Sequence, residues 1–216
     1  MRGDTIIVEK HHRKAAAEIT PAIVPKIEAA TGRYTVTVAG ESGSGKSETA
    51  TAIAEALAEM GINSIIFQQD DYFVYPPKTN DRTRRQDIAW VGPQEVKLDL
   101  LDEHLAAFLD GAESIEKPLV IYEDDCVESE TVDTSDARVA IAEGTYTTLL
   151  EKVDTRVFID RDYEDTLAHR LKRNRDASEL DTFTGNVLKI EHDIISSHKP
   201  RADIIINRDY SVSLAS

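Results

Sequence analysis

The chain has 216 residues, 41% of them hydrophobic, with 40 Asp and Glu against 25 Lys and Arg and a formal net charge of −15. That length suits one domain with a substantial buried core, and so acidic a chain is a poor match for the phosphates of a nucleic acid. A lone cysteine, Cys126, excludes a disulfide framework or thiolate metal site and fits a reducing, cytoplasmic compartment. Ile6-Ile7-Val8 is too short for a signal h-region, and no stretch approaches the apolar length of a membrane span, so no membrane partner is expected.

Residues 1 to about 33 read as an N-terminal helical extension. Ile19, Ile23 and Ile27 recur at helical spacing, and Thr20-Pro21 offers a start, although Pro25 sits awkwardly inside and can be the true first turn. Tyr34-Thr35-Val36-Thr37-Val38-Ala39 is β-branched and reads as the strand that opens the main domain, residues 34–216. Gly40 to Ser47 then fits G-x-x-x-x-G-K-[ST], the phosphate-binding P-loop. Ala50, Ile53, Ala54 and Leu57 repeat at i, i+3, i+4 and i+7, so a helix follows and ends near Gly61. Strand, Gly-rich loop and helix aim a helix N-terminus at an anion.

Further along, Ile65-Ile66-Phe67 is a short buried strand that runs into Gln69-Asp70-Asp71-Tyr72-Phe73, and Pro76-Pro77 forces an irregular loop. A helix from about Pro93 to Gly111 carries Leu98, Leu101, Leu105 and Phe108 on one face. Leu119 to Tyr122 reads as a strand, and the acidic stretch Glu123 to Asp136 as a solvated loop. Val139 to Ala142 is a buried strand ending at Glu143-Gly144, and Arg156 to Asp160 is the next. Asp162 can cap a helix through about Arg175. A helix near Val187 to Ile195 precedes a final strand, Ala202 to Ile206. Apolar strands alternating with helices predict an α/β fold, a three-layer α/β/α P-loop architecture with a mainly parallel central sheet. Ligands bind such sheets at the carboxyl ends of the strands. The P-loop, Asp70-Asp71, Glu143 and the loop after Asp160 should therefore line one rim.

Phosphoryl transfer needs a phosphate cradle, Mg²⁺, cations for the transferred group and a residue to orient the attacking oxygen. The expected phosphate cradle comprises Gly40, Ser42, Gly43, Ser44 and Gly45, with Lys46, Ser47 and Glu48 in the first helical turn. Lys46 can reach the outer phosphates and the Ser47 hydroxyl can ligate Mg²⁺, with Asp70 and Glu143 as candidate carboxylates beside it. Asp70 can instead take a proton from a substrate hydroxyl; Asp71 reads as a turn cap. Arg170, Lys172, Arg173 and Arg175 form a cationic stretch suited to phosphate, or simply a charged helix face. Arg82, Arg84 and Arg85 form a second cluster, either a substrate cover or surface charge.

Taken together, the P-loop, Gln-Asp-Asp-Tyr-Phe at residues 69–73, Ile-Tyr-Glu-Asp at 121–124, Ala-Glu-Gly at 142–144, Arg-Leu-Lys-Arg-Asn-Arg-Asp at 170–176 and Arg-Ala-Asp-Ile-Ile-Ile at 201–206 are similar to the uridine kinase and phosphoribulokinase family, in order, from about Tyr34 to Arg208. The resemblance implies an ATP- and Mg²⁺-dependent kinase acting on a hydroxyl of a small metabolite, often a ribose-type sugar, with a small helical lid over about residues 170–200. It implies that Asp70 is the catalytic aspartate and that Tyr72, Asp87 and Tyr122 line the acceptor. Glu143 would stand near Mg²⁺, and Arg170, Arg173 and Arg175 would close on phosphates. The uridine kinase pattern has a His soon after the Tyr122 position; Glu123 to Glu128 here contain none, so the acceptor half departs from that pattern. Residues 69–73 also resemble the corresponding stretch of nicotinamide riboside kinases.

Two other function classes fit a P-loop. A GTPase or hydrolase is disfavoured because no [NT]-K-x-D guanine-reading motif is present, and a regulatory nucleotide binder because Lys46, Ser47, Asp70 and Glu143 are all intact. The sequence leaves a homo-oligomer open.

Overall fold

The structure, a computed structural model, describes residues 6–165 and 182–215. In chain order the elements are α1 (Lys10–Ala29), β1 (Tyr34–Gly40), α2 (Lys46–Glu59), β2 (Ser64–Gln68), a 3-10 turn (Gln69–Tyr72), α3 (Pro77–Gln86), α4 (Leu98–Leu109), β3 (Ser114–Ile121), β4 (Cys126–Asp133), β5 (Val139–Gly144), β6 (Thr155–Ile159), α5 (Thr182–Ser196), β7 (Ile204–Ile206) and β8 (Val212–Leu214). The main sheet runs β2-β5-β1-β6-β7-β8, parallel except for β8 at one edge. β1 is buried along its whole length between β5 and β6, as expected of a central strand covered on both faces.

Alternation along the strands assigns the two cores. Val36 and Val38 of β1, with Val139, Ile141, Val157 and Ile159, pack under α1 and α2. Ala39, Ala140, Ala142 and Phe158 face the other way, against Leu101, Leu105 and Phe108 of α4 and Ile195 of α5. The α/β/α layering predicted from the sequence is present.

The N-terminal helix begins earlier than its prolines suggest. α1 runs through both Pro21 and Pro25. An interior proline costs roughly 3 kcal/mol, but Ala17, Pro21 and Pro25 lie four residues apart on the exposed side. On the opposite side Ile19, Ile23 and Ile27 are fully buried, each contributing about 1.5–3 kcal/mol. Burial outweighs the missing hydrogen bonds, and α1 shares a core with the sheet.

Three further expectations are corrected. The acidic stretch after Tyr122 is not a loop: β4 pairs antiparallel with all of β3, from Ile121–Cys126 to Ser114–Asp133, as a hairpin outside the main sheet. Most of β4 faces solvent, so no apolar alternation marks it. The region after Pro76 is also not irregular, because Pro77 opens α3, whose fixed backbone angle suits a first helical turn. The helix expected from Pro93 starts at Leu98, after a single 3-10 turn over Pro93–Glu95. Among the described residues no helix is long and apolar enough to cross a membrane.

Candidate active site

The carboxyl ends of β1, β2 and β5 meet at one rim, because β5 lies between the other two. Glu143, near the end of β5, pairs in register with Val38 of β1 on one side and Gln68 of β2 on the other. The P-loop leaves β1 here and Asp70 follows two residues after Gln68, so the sheet itself gathers Lys46, Ser47, Asp70 and Glu143.

The loop is shaped for an anion. Gly43 and Gly45 adopt left-handed backbone angles, φ +76° and +92°, that favour glycine. Gly45 is the N-cap of α2, so the first unpaired N–H groups of that helix open onto the loop. Lys46 Nζ donates to the Glu41 carbonyl at 3.0 Å, bending back across the loop. The Ser44 hydroxyl is buried with no hydrogen-bond partner among the described residues, an open valence in the cradle. Ser42 and Glu48 lie in the same stretch, Glu48 buried in the first turn of α2.

Beside the cradle, Ser47 Oγ donates to Glu143 Oε1 at 2.9 Å. Hydroxyl and carboxylate oxygens are the hard donors that Mg²⁺ prefers, and Mg²⁺ takes only one or two protein carboxylates while keeping waters and substrate phosphate oxygens. No group of three or more His, Cys, Asp or Glu among the described residues is arranged to cage a metal. Ser47 and Glu143 supply one hydroxyl and one carboxylate, donor types that fit Mg²⁺.

Glu143 is almost fully buried, and its carboxyl is pushed up from 4.5 to about 7, first by burial and then by the nearby Asp70 charge; Lys46 and the Ser47 hydrogen bond act the other way. A carboxyl raised in the folded state keeps its proton where the unfolded chain has lost it. Its stabilising contribution is full below about 4.5 and is lost as the pH rises through about 7. In the nucleotide- and metal-free chain, we expect this group to withdraw on the order of 3 kcal/mol between those limits. Denaturant midpoints measured at both ends of that window should show the fall, and Glu143→Gln should flatten it. An unchanged slope in Glu143→Gln would mean that Glu143 is already ionised in the folded chain.

Other candidates sit elsewhere. Tyr72 is fully buried in the core against α4, and its hydroxyl meets His104 Nδ1 at 2.8 Å, so it does not present its ring to the rim. This corrects the expected acceptor-lining role: the turn over Gln69–Tyr72 directs that side chain under the sheet. Asp87 is exposed and caps the next 3-10 turn by accepting from the Ala89 N–H at 3.0 Å. Asp71 is buried in an ion pair with Lys117, 2.8 Å, and also accepts from the Val120 N–H, which fastens the β3–β4 hairpin to the turn after β2. Tyr122, at the hairpin tip, is half-buried with the Lys78 ammonium 5.7 Å from its ring centre. Arg170, Arg173 and Arg175 lie outside the described residues, as does most of the helix expected after Asp162 and the first part of the expected lid.

Two connections are not legible in the sequence. Arg84, one of the three arginines after Asp70, is not surface charge: it grips buried Glu95 through two nitrogens and reaches Glu191 on α5 at 3.0 Å. Glu95 also takes bonds from Asn80 and the Gly92 N–H. His192 of α5 contacts Glu41 of the P-loop at 2.6 Å. Contact with Glu41 raises the His192 pKa, and burial raises that of Glu41. These partners lie 107 and 151 residues apart in the chain, and no local pattern announces them.

Comparison with known proteins agrees with the fold. Residues 35–214 match the profile of the Phosphoribulokinase / Uridine kinase family. The chain is 30% identical over 195 residues, 85% of its length, to the bifunctional alpha-galactosidase/sucrose kinase AgaSK of Mediterraneibacter gnavus, of which it spans only 21%. It is 29% identical over 143 residues to the uridine kinase of Ureaplasma urealyticum, covering 64% of this chain and 68% of that one. The solved phosphoribulokinase from Rhodobacter spheroides superposes with a TM-score of 0.62 at 12% identity, over 82% of this chain and 71% of that chain, a likeness of fold. The chain therefore belongs to the phosphoribulokinase/uridine kinase family, whose members are phosphotransferases with a hydroxyl of a small metabolite as acceptor.

Proposed function

We propose that the chain transfers the γ-phosphoryl group of ATP, with Mg²⁺, to a hydroxyl of a nucleoside or sugar-type acceptor. The observation that supports this most is the Ser47–Glu143 hydrogen bond at 2.9 Å beside the P-loop, with the Asp70 charge acting on the same carboxyl. In this reading the loop and Lys46 hold the phosphates, and Ser47 with Glu143 would hold Mg²⁺, which supplies charge neutralisation at the phosphates when bound. Asp70 orients the acceptor hydroxyl and takes its proton as the oxygen bonds to phosphorus and the bond to ADP breaks. Arg170, Arg173 and Arg175 are assigned to the closing lid, on the resemblance alone. Tyr122 and the turn around Asp87 are assigned to the acceptor side, since both border α3.

The names of the relatives, a sucrose kinase and a uridine kinase, support neutral hydroxyl-rich acceptors as the first to try. The test is ADP release from Mg²⁺-ATP across a panel of nucleosides, free sugars, phosphosugars and small hydroxy acids. Release stimulated by an acceptor is expected. Nucleotide binding with no stimulation by any panel member would contradict the proposal.

A further inference from the structure

The N-terminal helix lies outside the segment matched by the family profile, which begins at residue 35, yet it reaches the phosphate loop. His12, in its first turn, is only 3% exposed. Its ring occupies the space beside Gly45: a Cβ built on Gly45 would stand 2.8 Å from His12 Nε2 and 3.4 Å from Cδ2. Gly45 thus meets two separate demands, a left-handed φ of +92° and the closeness of this imidazole. The opposite edge of the ring is also tied down. The Glu9 N–H donates to His12 Nδ1 at 3.1 Å, so a neutral ring carries its proton on Nε2, the edge toward the loop. His11 and Tyr210 pack around it, His11 Nε2 at 3.1 Å from His12 Nε2 and its ring 4.0 Å from that of Tyr210. Behind them the Arg161 guanidinium donates to the Tyr210 hydroxyl, which joins this cluster to the exit of β6.

Gly43, Ser44 and Gly45 form a stretch with a large conformational freedom to lose when a phosphate is bound, and rigidity supplied beforehand lowers that cost. We infer that His12 is a positioning residue for the donor site: α1 carries its ring against Gly45, and the packing of that ring, whose Nε2 meets His11 Nε2 at 3.1 Å, holds the Gly45–Lys46 turn in the shape that receives the triphosphate. The helix would then be a working part of the kinase, not an appendage. The inference rests on the reading that the loop binds ATP.

Two conservative substitutions separate the packing of the ring from helix capping. His12→Asn keeps an acceptor for the Glu9 N–H but does not reach Gly45. His12→Gln can also cap, since glutamine at the third helical position reaches back to the N-cap N–H, and its longer side chain refills more of the space beside Gly45. We expect His12→Asn to raise the KM for ATP about tenfold with little change in kcat, the size of effect that slight misplacement of a site produces. His12→Gln should stay within about threefold of the parent chain, and His12→Ala, which deletes the ring while favouring the helix, should follow His12→Asn. ATP binding to the full chain by calorimetry, with thermal midpoints for all variants, completes the test. Equal KM values in the parent chain, His12→Asn and His12→Ala would overturn the inference and leave the kinase reading intact. A normal KM in His12→Asn with a raised KM in His12→Ala would overturn it too, since helix capping, which asparagine keeps and alanine loses, would then be what matters. No ATP binding by the parent chain would remove the donor-site reading and this inference with it.

Discussion

Lys46→Ala should reduce acceptor-stimulated turnover by a factor of about 10²–10³, the scale for losing one preorganised donor at a transition state. Lys46 follows Gly45 at the start of α2, and its ammonium lies across the loop on the Glu41 carbonyl, 3.0 Å away. A bound phosphate offers a better partner than that neutral oxygen, and the lysine needs only to turn from one to the other. Its charge also lowers the Glu143 carboxyl against the push of burial. The substitution removes both effects, so Glu143 should hold its proton more tightly as well. Steady-state ADP release, with circular dichroism to confirm the fold, measures the result; turnover within tenfold of the parent would show that Lys46 does not neutralise the transferred group.

Asp70→Asn should slow turnover by about 10²–10⁴, the usual contribution of a positioned general base, while ATP binding is nearly preserved. The carboxylate stands on the 3-10 turn after β2, next to Glu143 in space but not within the P-loop itself. Asparagine keeps the size and one acceptor oxygen, so the turn should survive, but the group can no longer take a proton. The signature is a fall in kcat with an unchanged Kd for ATP by calorimetry. Near-normal kcat would refute the base assignment, and a large loss of ATP affinity would move Asp70 to the metal side of the site. Running Asp71→Asn in parallel gives the contrast: Asp71 is committed to Lys117 and Val120, so its loss should lower stability ahead of catalysis.

How much of this is legible in the sequence follows from how local each signal is. The P-loop and its flanking strand and helix are contiguous, and strongly apolar strands such as Val139 to Ala142 declare themselves; the sheet order then brings Glu143 between β1 and β2. The hairpin strand β4 is hidden because both its faces are largely wet and its acidic residues carry no periodic signal. α3 is hidden for a related reason: Asn80 is its one buried residue, so it has no apolar stripe. It stands on a Pro77 start, local pairs such as Arg85–Asp81, and the buried grip of Arg84 on Glu95. Tyr72 misleads because neighbours in a motif need not share a direction, and a 3-10 turn points Asp71 and Tyr72 into the protein. Long-range pairs such as His192–Glu41 and the packing of His12 on Gly45 exist only once the chain has folded.

The most direct measurement is phosphorus-31 NMR of the full chain with Mg²⁺-ATP and whichever acceptor stimulates ADP release. The account predicts a new phosphomonoester resonance that grows in step with ADP and is absent in Asp70→Asn over the same period. Inorganic phosphate growing in step with ADP, with no phosphomonoester, would make the chain a hydrolase and contradict it.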